Sequence, residues 1–270
     1  MEISTSGIVF GAGMLICSLA LLQDHAAGGS DAHLPNLVVV APKEVTLGTS
    51  DDGSGPALRF WTSVANRGAY ALDVLQVPES ISRASGFQCI TWSSGTCVKR
   101  RSAGPLTWHP EHGHFHFENF VLYELRTFGR GRLVERGTQG LAVEAGKASF
   151  CLSDTEPDRP RASRSYLGGN PTYYCGTPAG FQGISPSWRD SYAPTLSGQY
   201  ISIDGLPSGR YALVFTVDPL MKLSESNESD NRTVIGIEID REEGRITPIC
   251  KGKPGSWNCD RELHNDPKPG

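Results

Sequence analysis

The chain has 270 residues, 38% hydrophobic and 20% charged, with a formal net charge of −4. That composition is ordinary for a globular protein, and the length suits one large domain or two small ones. It excludes nucleic-acid binding driven by bulk positive charge, and 31 glycines with 18 prolines favour short strands and turns over long helices.

Residues 7–22, GIVFGAGMLICSLALL, are uncharged and mostly apolar or small. They are short for a membrane span, which takes about 20 residues. They suit the apolar region of a secretory signal cleaved near Ala26-Ala27, so residues 1–27 are expected to be a signal peptide. Glu2, with no Lys or Arg beside it, keeps a signal anchor as the alternative. No other stretch suits a membrane, so no stable insertion is expected once the signal is removed. Residues 28–35 read as a flexible lead-in.

Strand-like runs follow at 36–41 (NLVVVA), 57–66 (ALRFWTSVAN) and 69–77 (AYALDVLQV). Asn66-Arg67-Gly68 is a turn signal. Residues 78–105, mixed and rich in Ser and Gly, read as a long surface loop. Strands are expected again at 118–128 (ENFVLYELRTF) and 147–152 (KASFCL), with a turn at Gly129–Arg132. Residues 153–198 keep no period and read as an irregular, functional loop. QYISI (199–203) and RYALVFTVD (210–218) read as a hairpin about DGLPSG, and RTVIGIEID (232–240) alternates as a strand. No long helix is expected. The fold class is all-β, an antiparallel β-sandwich with long irregular loops.

Of seven cysteines, Cys17 lies in the signal and six remain, an even number that fits oxidative pairing after export. Local spacing suggests Cys89–Cys97, Cys151–Cys175 and Cys250–Cys259. Residues 241–270 would be a C-terminal extension holding the last pair.

Four of the seven histidines fall within WHPEHGHFHF, residues 108–117. His112, His114 and His116 are two apart, so on a strand their rings would share a face. Imidazole nitrogens suit Zn, Cu, Ni or Fe, and three protein ligands leave a position open. His109, beyond Pro110, is expected to be a neighbour of the ligand set. Phe115 and Phe117, on the other parity, read as core.

With these histidines in place, the chain resembles the lysyl oxidases. WHPEHGHFHFENF resembles the family's copper segment. GKASFCLSDT (146–155) resembles the segment carrying its cofactor lysine, here Lys147, and GISPSWRDSY (183–192) the one ending in its cofactor tyrosine, here Tyr192. PSGRYALVFTVDPLMKLSESNESDN (207–231) resembles its closing strands and acidic loop. The resemblance runs over about residues 34–240, which makes 36–240 the expected catalytic domain. It implies a copper amine oxidase whose Lys147 and Tyr192 are joined as lysine tyrosylquinone, using Cu(II) and O₂. Primary amines, with peptidyl lysine as one class, would become aldehydes with release of ammonia and hydrogen peroxide. Asp190, two residues before Tyr192, is the candidate base.

ESNESDN (225–231) supplies Glu225, Asn227, Asp230 and Asn231, oxygen ligands that suit Ca²⁺. The resemblance adds Asn36 to that set. Two departures stand out. Glu111 occupies a position where animal members carry a cysteine, and Gly146 stands where a histidine usually precedes the cofactor lysine. The competing expectations are a non-catalytic metal-binding sandwich and a zinc hydrolase with Glu111 or Glu118 as base.

Overall fold

The computed structural model describes residues 32–42, 44–129, 132–133, 143–144, 149–158, 173–175 and 180–252. These residues belong to one compact unit, Asp31–Gly270. The expected signal peptide (residues 1–27), Lys147 and Cys259 lie outside the described residues.

Strands carry the described chain, and no helix is found among the described residues. The first are β1 (Leu37–Val40), β2 (Val45–Thr49), β3 (Pro56–Phe60), β4 (Thr62–Asn66) and β5 (Leu72–Pro78). Next come β6 (Arg83–Ser93), β7 (Thr96–His109), β8 (His114–Phe117) and β9 (Val121–Gly129). Short strands follow as β10 (Arg132–Leu133), β11 (Val143–Glu144) and β12 (Glu156–Pro157). The rest are β13 (Phe181–Ile184), β14 (Trp188–Tyr192), β15 (Tyr200–Ser202), β16 (Gly209–Val217), β17 (Arg232–Asp240) and β18 (Arg245–Gly252). They form four antiparallel sheets: β1-β4-β14-β12, β10-β9-β16-β17-β18 with β11 on β9, β13-β5-β6-β7-β8, and β15-β3-β2. The all-β expectation holds.

The pattern of each strand explains its place. Tyr211–Phe215 of β16 is an unbroken apolar run and is buried throughout, between β9 and β17. In β9, Val121, Tyr123 and Leu125 are buried while Leu122, Glu124 and Arg126 are half-buried, the period of a strand with one inner face. Phe60, Tyr123 and Phe215 meet edge to face at 5.0–5.4 Å in the core. Burying each such side chain contributes about 1.5–3 kcal/mol.

Five sequence expectations are corrected. Residues 57–66 form two strands, β3 and β4, in different sheets, and the break falls at Trp61. Residues 78–105 form most of the long β6–β7 hairpin; Lys99, Arg100 and Arg101 sit exposed on β7, so backbone pairing rather than an apolar face defines it. In KASFCL, the described part makes only a bridge, Phe150 to Phe117. β15 pairs with β3 and not with β16, while the stretch 153–198 contains β12, β13 and β14. For β4, β13, β14 and β15 the strand partners lie far away in sequence, which local pattern does not show.

The disulfides Cys89–Cys97 and Cys151–Cys175 form as expected. Cys250 is disulfide-bonded as well.

Candidate active site

The β7–β8 hairpin builds the histidine cluster. His109 ends β7 and pairs with His114, which begins β8. Pro110 to Gly113 close the turn, and Gly113 adopts φ +69°, a left-handed conformation open to glycine without strain. The backbone N–H groups of His112 and Gly113 both donate to His109 O, at 3.1 and 2.8 Å. His112 therefore reaches in from the turn. Strand parity governs only His114 and His116, which corrects the expectation that all three lie along one strand.

The rings converge all the same. His116 Nε2 lies 3.0 Å from His112 Nδ1 and 3.1 Å from His114 Nε2. Two nitrogens bound at right angles to one ion, each about 2.0–2.1 Å from it, stand about 3 Å apart. The spacing fits a bound transition metal. His109 stacks on His116 with centroids 3.8 Å apart. One ring nitrogen each of His109, His112 and His116 lies within 4.8 Å of the others. His116 is buried and His112 exposed, so the cluster opens toward solvent on the turn side.

The segment from Ser149 onward lies between β8 and β14. Phe117 N donates to Phe150 O (2.7 Å), and Phe150 N donates to Phe117 O (3.0 Å). The Tyr192 hydroxyl donates to Cys151 O (2.6 Å), and its ring meets Phe150 edge-on at 4.8 Å. Buried Gln182 ties the pieces together: its Nε2 donates to Phe115 O (2.5 Å) and its Oε1 accepts from Leu152 N (3.0 Å). Nothing in the sequence marked Gln182, because a clamp between two distant segments leaves no periodic trace.

Asp190 and Tyr192 are two apart on β14 and share a face. Asp190 is buried; its Oδ1 accepts from Ser153 Oγ at 3.4 Å, and Oδ2 meets no hydrogen-bond donor among the described residues. Burial pushes its carboxyl well above the usual carboxylate range, Ser153 and Tyr192 oppose that, and the charge of Asp154 adds to it. Burial and then the neighbouring Asp190 push the Tyr192 phenol up in turn. A buried carboxyl of this kind keeps its proton to higher pH than a surface one.

A cleft of about 320 Å³ opens beside His114, lined by Gln76, Trp108, Phe115, Cys151, Tyr174 and Gln182 among others. Phe115 and Phe117 both pack in or against the core, and Phe115 also shows a ring edge to Trp108 at 5.2 Å.

The 225–231 loop is a second cluster, made of oxygens. Buried Glu225 accepts from Leu37 N through Oε2 and from Asn231 Nδ2 through Oε1 (2.8 Å). Asn36 Nδ2 donates to Asp230 Oδ2 at 3.3 Å. Three buried oxygens, Asn36 Oδ1, Asp230 Oδ1 and Asn231 Oδ1, meet no donor among the described residues. Orphaned buried oxygens are costly, and a hard cation is the natural partner for three of them. Burial first, then the charges of Glu228 and Asp218, push Glu225 up to about 8. Asn227 Oδ1 is engaged with Ser229 N (3.1 Å) and Ser229 Oγ (2.7 Å), closing the turn.

Comparison with known proteins decides the family. The model of the lysyl oxidase family matches residues 58–248. The chain belongs to the lysyl oxidase family. Protein-lysine 6-oxidase of Rattus norvegicus is 34% identical over 133 residues, 49% of this chain and 28% of the relative. The Sus scrofa protein of that name is 33% identical over 49% of this chain and 45% of the relative. Lysyl oxidase homolog 3B of Danio rerio is 33% identical over 46% of this chain and 13% of the relative. The chain thus spans less than half the length of these curated relatives. The lysyl oxidase match takes in the histidine hairpin, Lys147, Asp190, Tyr192 and the 225–231 loop; Asn36 precedes it.

Proposed function

We propose that the protein is an exported, copper-dependent amine oxidase that converts primary amines, peptidyl lysine among them, to aldehydes. Ammonia and hydrogen peroxide are the other products. The observation that carries this reading is the approach of His112 Nδ1 and His114 Nε2 to His116 Nε2, at 3.0 and 3.1 Å, near half-buried Tyr192 and buried Asp190, with Phe150 bridging from Phe117 to the Tyr192 ring.

His112, His114 and His116 hold the copper, with His109 stacked behind His116. Bound copper supplies the O₂ chemistry that makes a lysine tyrosylquinone from Lys147 and Tyr192, and that quinone supplies the electrophile for a primary amine. In the sequence Lys147 stands three residues before Phe150, whose ring meets that of Tyr192. Cys151 O orients the Tyr192 hydroxyl. Asp190 Oδ2, buried and facing no donor among the described residues, is the oxygen that takes the proton from the amine-bearing carbon. Phe117, Phe150 and Tyr123 exclude water from the inner side. The cleft beside His114 admits the amine, its Trp108 and Phe115 faces packing on the aliphatic chain.

Glu225, Asp230 and Asn231, with Asn36, hold a Ca²⁺ that ties the start of β1 to the loop before β17, and Asn227 shapes the loop. Residues 1–27 direct export, 28–35 lead into the catalytic domain from residue 36, and residues 241–270 extend it. Among the described residues no helix is long and apolar enough to cross a membrane.

The test is amine-dependent hydrogen peroxide release by copper-loaded protein, with phenylhydrazine as a trap for the quinone. Peroxide from a primary amine, and a visible-absorbing adduct that blocks it, support the reading. Tight copper with neither signal would make the chain a non-catalytic copper module.

A further inference from the structure

A second set of metal-binding atoms shares His114. One ring nitrogen of His114 and the sulfurs of Cys151 and Cys175 all lie within 4.8 Å of one another. The two cysteines are joined as a disulfide with Cα atoms 5.8 Å apart. In that state neither sulfur is a thiolate, and only thiolates ligate strongly. Cys151 is buried, while Cys175 is exposed with its Sγ 3.3 Å from Cys151 O. A reductant therefore meets the pair from the Cys175 side.

We propose that in the dithiol form Cys151 and Cys175, with His114, bind Zn²⁺ or Cu⁺, and that closing the disulfide commits His114 to the three-histidine centre. The donor set is the soft, borderline type such ions take, and three protein ligands leave one position for water. Two thiolates about 2.3 Å from one tetrahedral ion stand about 3.8 Å apart, against about 2.0 Å in a disulfide, so opening moves the sulfurs by less than about 2 Å. Competition follows from the imidazole. A neutral ring carries one lone pair for a metal, since its other nitrogen bears the proton. His114 Nε2 already stands 3.1 Å from His116 Nε2. The second half of the proposal rests on His114 as a copper ligand; the dithiol site stands without it.

The redox step is thiol–disulfide exchange. During assembly, the disulfide of a protein oxidant takes two electrons from the two cysteine thiols and leaves as a dithiol. The Cys151–Cys175 bond forms, and the two thiol protons end on the oxidant's sulfurs. In reverse, a dithiol reductant gives two electrons and its two protons to the pair, restoring the two thiols, and leaves as a disulfide. Binding Zn²⁺ then releases two protons to water. The position matters because Cys151 O holds the Tyr192 hydroxyl.

The test uses the full chain with Cys17, Cys89, Cys97, Cys250 and Cys259 each replaced by Ser, reduced without air and titrated with Co²⁺, whose thiolate bonds give a near-ultraviolet charge-transfer band. The expected result is a band that saturates at one equivalent and is absent from the oxidised protein. It is lost in Cys175→Ala, and in His114→Ala the midpoint moves at least about tenfold to higher Co²⁺. Alkylating exposed Cys175 in the reduced parent must also abolish it, which gives the same answer if Cys175→Ala folds poorly. No band at one equivalent, or a band untouched by both Cys175→Ala and alkylation, overturns the site. A band indifferent to His114→Ala overturns the sharing of His114. Copper binding by the oxidised protein, followed by its nitrogen hyperfine signal, is read separately. Its failure sinks the copper reading and leaves the cobalt result standing.

Discussion

The histidine hairpin and the 225–231 loop both gather side chains able to ligate a metal, and they are built in opposite ways. The hairpin offers nitrogens from a tight turn and a short strand, half open to solvent beside a cleft. The loop offers oxygens, several of them buried, closed over the start of β1 by Glu225 and Asn36. An open nitrogen set leaves room for O₂ and a substrate. A closed oxygen set joins two segments and leaves no route in. Under the proposed function, chemistry and structural support have separate addresses, and the two should fail independently.

The largest expected break of that separation is at His116. His116→Ala should lower copper affinity by more than about 100-fold, because changes merely behind a ligand already cost 10–100-fold. Copper content after dialysis measures this. The calcium dependence of the melting temperature should not change; if it does, the two sites are one.

Asp190→Asn comes next. Amine oxidation should fall by about 10²–10⁴-fold while copper is retained. Asp190 has its carboxyl raised by burial, so activity of the parent rises with pH as that group loses its proton, and the variant should lose this limb. A parallel drop in copper and in melting temperature, with the pH limb intact, would make Asp190 only a packing residue.

Calcium removal should have a smaller effect, confined to stability. At 100 times the dissociation constant a ligand adds about 2.7 kcal/mol. For a domain of this size that is a rise of about 5–10 °C in melting temperature. Differential scanning calorimetry with and without Ca²⁺ checks it, and Glu225→Gln should remove most of the rise.

The smallest effect is the pH dependence of that increment. Without a cation Glu225 is raised from 4.5 to about 8 in the fold. Its contribution is fully present below pH 4.5 and is lost as pH rises toward 8. Bound calcium favours the ionised carboxylate. The calcium increment should therefore be larger at pH 8.5 than at pH 5.5; the reverse order would place the cation elsewhere.

How much of this was legible varies with distance along the chain. The disulfides Cys89–Cys97 and Cys151–Cys175 followed from local spacing, and β16 and β17 from their apolar runs. The histidines, Asp190 and Tyr192 stood out by residue type and by the segments around them. The β6–β7 hairpin did not, because its polar, basic face carries no hydrophobic period. Neither did the turn origin of His112, which depends on Gly113 and on where β7 ends. Gln182 and Gln88 escaped notice for a common reason. Each clamps a backbone segment far away in sequence, Gln88 through Ser224 N (2.7 Å) and Ser224 O (2.8 Å). Such contacts exist only after the sheets have assembled.

The most direct test of the central claim is mass spectrometry of a protease digest after copper loading in air. Lys147 and Tyr192 should be recovered together in one cross-linked species, which is lost in Tyr192→Phe while copper stays bound. Two separate peptides of unmodified mass, from protein that holds copper and has been exposed to O₂, would contradict the quinone and with it the proposed oxidase.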